Sequence, residues 1–104
     1  MRCFHVLVRG TLEWPQEQLD DVEAFTPAGF TCHRYVLASG FKDAAEKAFR
    51  IVRRNLERQT GWLKQGAVKL TLECEELKPA PIHKIFKRGR KVGDFYEGAA
   101  SASA

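Results

Sequence analysis

The chain has no long hydrophobic run: nowhere in its 104 residues does an apolar stretch approach the roughly 18 residues that a membrane-spanning helix requires. Its first 25 residues lack a basic start followed by an apolar segment, so neither secretion nor membrane insertion is expected. Cysteine is scarce. Cys3, Cys32 and Cys74 are an odd number at wide spacing, which excludes a disulfide framework of the usual kind and predicts packed thiols in a reducing, cytoplasmic setting. Serine is nearly absent outside the C-terminus, with only Ser39, Ser101 and Ser103, and no strand-to-helix nucleophile elbow can be built around any of them. There is no glycine-rich phosphate loop either, because Gly89 and Gly93 are sparse and precede no helical pattern.

Metal-ligating residue types do occur, as Cys3-x-His5, Cys32-His33, Cys74 and His83, but no Cys-x-x-Cys or His-x₃-His unit joins them. Adjacent residues such as Cys32 and His33 point to opposite faces of a strand, so no metal and no cofactor is expected. Cys3 and His5 lie two residues apart on one strand face and are the one local thiol-imidazole pair, for which packing is the expected role. The carboxylate pairs Asp20-Asp21 and Glu75-Glu76 read as surface.

What is present is ordinary globular composition, 44% hydrophobic and 29% charged, in a chain of the right size for one domain. A single domain over residues 1–97 is expected, followed by a frayed tail of small residues at 98–104. The net charge of +4 is unevenly placed. Residues 13 to 23 hold five acids and no base, whereas the segment from 83 to 91 holds Lys84, Lys87, Arg88, Arg90 and Lys91 and no acid.

Period-2 alternation predicts a half-buried strand over residues 2 to 12, with Phe4, Val6, Val8 and Leu12 on one side and Leu7 as the exception. A loop with a helical turn from Pro15 follows, then a second strand over 30 to 38 whose core face is ambiguous. One side offers Phe30, Cys32, Val36 and Ala38 but includes Arg34, and the other offers Tyr35 and Leu37 but includes Thr31 and His33. The clearest signal is a helix over residues 41 to 60. Phe41, Ala44, Ala45, Ala48, Phe49, Ile51, Val52 and Leu56 fall on one stripe, opposite a charged face with three i,i+4 pairs, Asp43 with Lys47, Glu46 with Arg50 and Arg53 with Glu57. Ser39 or Gly40 is placed to cap its start and Gly61 to stop it. Val68, Leu70, Leu72 and Cys74 then alternate with charged or polar residues as a one-sided strand ended by Pro79 and Pro81. Ile82, Ile85 and Phe86 suit a helical turn or a short edge strand, with Val92, Phe95 and Tyr96 docking back on the body.

The order strand, strand, helix, strand predicts an α+β domain with a small sheet of three or four strands and one long helix on one face. It resembles part of a ferredoxin-like plait, a half-plait, which implies no function. The second and third strands should run parallel, with the first antiparallel to one of them. One helix covers one face only, so His5 and Leu7, with His33 and Tyr35 if that side of the second strand faces outward, form an expected interface. A small non-enzymatic binding or accessory protein, acting through protein contacts as a homodimer, is the first expectation. The alternative is nucleic-acid binding through the basic 83–91 segment with Phe86 interleaved, extended by Arg50 and Arg54 on the helix.

Overall fold

The computed structural model describes residues 1–86 and 95–96, with residues 86, 95 and 96 described by their backbone. Lys87, Arg88, Arg90, Lys91, Val92 and the 98–104 tail lie outside the described residues. The chain forms β1 (Arg2–Glu13), α1 (Gln16–Asp20), β2 (Gly29–Ala38), α2 (Phe41–Thr60), α3 (Trp62–Gln65), β3 (Lys69–Pro79), a 3-10 turn (Ile82–Phe86) and β4 (Phe95–Tyr96).

Three long strands make an antiparallel sheet with β1 in the centre, flanked by β2 and β3. β4 adds only a two-residue bridge, Tyr96 opposite Gly29 and Phe95 opposite Phe30, so it is no full fourth strand. β2 and β3 run parallel to each other without touching, because the first strand pairs with both and not with one as expected. The acidic and apolar residues of 70–77 explain this arrangement. β3 has one wet edge and one apolar side, which suits an outer strand, whereas β1 is buried along most of its length.

α2 packs across one face. Ala44, Ala48, Val52 and Leu56 are fully buried against Phe4, Val6, Val8, Phe30, Val36 and Ala38. Small alanines at the start let the helix approach the sheet closely, and the larger Val52 and Leu56 fill the far end. Phe41 departs from the expected stripe: it is 53% exposed and meets Phe4 only edge-on, with ring centroids 5.3 Å apart. It sits at the first helical position, directly after the Gly40 N-cap. The stripe instead gains a polar member, Asn55.

Asn55 settles the ambiguity of β2. Arg34 is on the core face and 5% exposed, and its Nε and Nη2 both donate to Asn55 Oδ1, at 3.2 and 2.9 Å, while Nη1 donates to the His33 carbonyl at 2.7 Å. A buried guanidinium without acceptors is costly, so the helix supplies one where the strand supplies the charge. Phe30, Cys32, Val36 and Ala38 can then be core, and Thr31, His33, Tyr35 and Leu37 face the other way.

The helix ends follow local chemistry. Gly40 is the N-cap and offers no side chain; the carboxylate of Asp43 reaches back to accept from the Ser39 amide at 3.0 Å and hydroxyl at 3.3 Å. These hydrogen bonds, the amide first, and the neighbouring Lys47 hold the Asp43 carboxyl below its ordinary range. Gly61 ends the helix at φ 73°, a left-handed conformation that glycine adopts without strain. Of the three expected ion pairs Asp43–Lys47 closes, at 3.3 Å, while Glu57 instead accepts the Lys64 amide at 3.0 Å. In the middle of β1, Gly10 is required by packing: a Cβ there would overlap the ring of fully buried Phe30 opposite.

Beyond the strand ends, Trp14 meets Trp62 edge-on at 4.8 Å, and its indole N–H donates to the Pro27 carbonyl at 2.7 Å. This ties the acidic loop and α3 to one end of the sheet. The β1–β3 register slips between Leu7 and Val8, leaving Glu75 as an extra residue, and Cys74 is exposed rather than packed as its place in the alternation predicts. Partial desolvation of its sulfur, in an otherwise exposed residue, raises the Cys74 thiol pKa, and a contact to the Glu76 carbonyl at 3.5 Å acts in the opposite direction. No described helix is long and apolar enough to cross a membrane.

Candidate functional site

The face of the sheet turned away from α2 is formed by Cys3, His5, Leu7 and Arg9 of β1, Thr31, His33, Tyr35 and Leu37 of β2, and the outward residues of β3. The register brings the four residues expected there together. His5 lies opposite Tyr35 and Leu7 opposite His33, so His5 and His33 are diagonal neighbours.

The three rings form a layer. His5 and His33 stack at 4.9 Å with planes 15° apart, and His5 and Tyr35 are 5.0 Å apart and tilted by 39°. His5 Nε2 and His33 Nδ1 share a hydrogen bond at 2.7 Å. His5 is 9% exposed and its other ring nitrogen, Nδ1, is buried without a partner among the described residues. Burial holds its imidazole below the ordinary histidine range, electrostatic repulsion from the neighbouring His33 ring and from Lys78 pushes in the same direction, and the charge of Glu76 opposes them.

Around this layer lies a charged margin. Arg9 pairs with the bulged Glu75, and Lys78 pairs with Glu76 at 3.2 Å. Leu7, Tyr35 and Leu37 are half-buried, His33 is exposed, and the charged pairs are solvated. An apolar and aromatic centre inside a polar rim is the arrangement of protein interfaces.

The face is less open than one helix over a sheet predicts. Cys3 and Ile85 are both buried, at 3% and 9% exposure, yet neither belongs to the cluster under α2. The 3-10 turn touches β1 and β2, and the Ala80 amide donates to the Cys3 carbonyl at 2.9 Å. The chain after β3 thus turns back and covers the Cys3 end of this second face, leaving the His33 and Leu7 end uncovered by any described element. The Cys3–His5 pair shares a face as its spacing predicts, but His5 turns its Nε2 to His33.

The basic residues separate into two places. His83 and Lys84 lie in the 3-10 turn against the strands. Arg50 and Arg54 belong to the outer face of α2, where they line a shallow groove with Arg53, Glu57 and Arg58 of the same helix and Leu63 and Lys64 of α3. The part played by α3 was not readable from spacing, because its four residues carry no periodicity of their own. Among the described residues, no cluster of three or more His, Cys, Asp or Glu side chains is placed to hold a metal ion.

No protein family matches this chain, and neither a curated relative nor a similar solved structure is found.

Proposed function

We propose that this chain is a small non-enzymatic binding protein that works through the second face of its sheet, and that a second copy of the same chain covers that face in a homodimer. The observation that carries this reading is the stacked layer of His5, His33 and Tyr35, flanked by half-buried Leu7 and Leu37 and rimmed by charge. Aromatic side chains held rigid on a strand give contact area at little entropic cost, which is why they dominate interface energetics. The half-plait reading of the fold is consistent with such pairing, since a sheet with helical cover on one face alone is completed by a like face. Cytoplasmic residence fits three widely spaced cysteines, two of them buried.

Sedimentation equilibrium at micromolar concentration tests this. The reading predicts a mass near twice 11.8 kDa, reduced to one chain by Tyr35→Glu, which sets a charge in the centre of the layer. A wild-type mass of one chain at every concentration would overturn it.

A further inference from the structure

The outer face of α2 carries a row of arginines that the proposed dimer does not use. Arg50, Arg54 and Arg58 stand at i, i+4 and i+8 and therefore form one straight ridge, with a rise of about 6 Å between successive side chains. All three are exposed, and none forms an ion pair with a described residue. Arg53 and Lys64 border the same groove. The one acid in it, Glu57, is turned to the Lys64 amide, where it caps the start of α3 instead of neutralising the ridge. Leu63 gives the groove an apolar wall.

A helix needs no such ridge for its own stability. Arg58 in the last turn complements the helix dipole, but Arg50 and Arg54 are too far from the C-terminus to do so. Three guanidinium groups in line, about 6 Å apart, match neighbouring phosphates along an extended single strand, and each group binds phosphate in a bidentate fork. Guanidinium planes also stack on unpaired bases, for which the apolar wall leaves room. An acidic peptide offers carboxylates on a chain whose side chains alternate in direction, and so meets a straight ridge less well.

We infer that the groove along Arg50, Arg54 and Arg58 binds the backbone of single-stranded nucleic acid, without base-edge readout. This surface is distinct from the His5, His33 and Tyr35 layer, so the inference stands or falls independently of the dimer.

The test is fluorescence anisotropy of a labelled single-stranded RNA of mixed sequence, titrated with the full chain at several salt concentrations. Three phosphate contacts give a slope of log affinity against log salt of about −2, hence about a 20-fold loss between 50 and 200 mM salt. Arg50→Gln combined with Arg54→Gln should weaken binding at least tenfold and reduce the slope by about 1.4. Lys42→Gln, an exposed cation at the start of the same helix and outside the groove, should leave both unchanged. Circular dichroism melting confirms that each variant is folded, and the exposed ridge makes that the expected result. Unchanged affinity in the folded double variant would overturn the inference, as would equal competition by a poly-glutamate peptide of the same charge or the absence of binding at 50 mM salt.

Discussion

The two faces of this sheet are built from the same three strands and differ in almost every physical respect. Under α2 the contacts are aliphatic and aromatic, six large side chains among the described residues are fully buried, and the buried charge, Arg34, is hydrogen-bonded by a residue of the helix itself. On the other face a histidine pair, a tyrosine and two leucines are partly wet, a buried ring nitrogen has no partner among the described residues, and the margin is charged. The first face is closed within the chain and specifies the fold. The second carries features that no described residue completes, and the proposed function rests on it.

The contrast is sharpest along β2, where alternate residues serve opposite faces. Phe30→Ala removes a fully buried ring and should cost about 3–5 kcal/mol, enough to unfold much of the protein, whereas Tyr35→Ala should cost about 1 kcal/mol in dilute solution. Urea denaturation at low protein concentration checks both. Equal losses would mean that the second face is as much core as the first.

Asn55→Ala leaves the buried Arg34 guanidinium without its shared acceptor and should cost about 3 kcal/mol, and adding Arg34→Met should restore part of that loss. The same denaturation experiment reads it, and additive losses would contradict the pairing.

A pH effect belongs to the second face. The unfolded His5 imidazole titrates near about 6.5 and the folded one lower, so unfolding takes up a proton in the window between them. Stability is therefore fully present above that window and falls as pH drops through it. Thermal melting from neutral to mildly acidic pH should show the decline, and His5→Leu should flatten it. A decline unchanged in that variant would place its origin elsewhere. The smallest effect is expected on the solvated side of α2, where Glu46→Ala should change stability by no more than about 0.5 kcal/mol.

How far the amino-acid sequence discloses all this differs between the faces in the same way. The helix over 41–60, its glycine stop and the alternating β1 and β3 follow from periodicity, because a closed apolar core imposes one period on each element. The core side of β2 does not, since Arg34 looks like a surface residue until Asn55, 21 positions away, supplies its acceptor. Exposure of Cys74 depends on the bulge at Glu75, which alternation cannot signal. The layer of His5, Leu7, His33 and Tyr35 was legible as two alternatives, and the register chose between them. The return of the chain over Cys3 was not legible, because Ile85 reads equally as a helical turn or an edge strand.

The central claim is that the second face is completed by another copy of the chain. Proton NMR of the imidazole rings over a dilution series tests it most directly, with the indole N–H of Trp14, held to Pro27 at the far end of the sheet, as an internal control. The account predicts that the His5 and His33 signals move with concentration while that of Trp14 does not. Histidine signals that stay fixed across the series would contradict it.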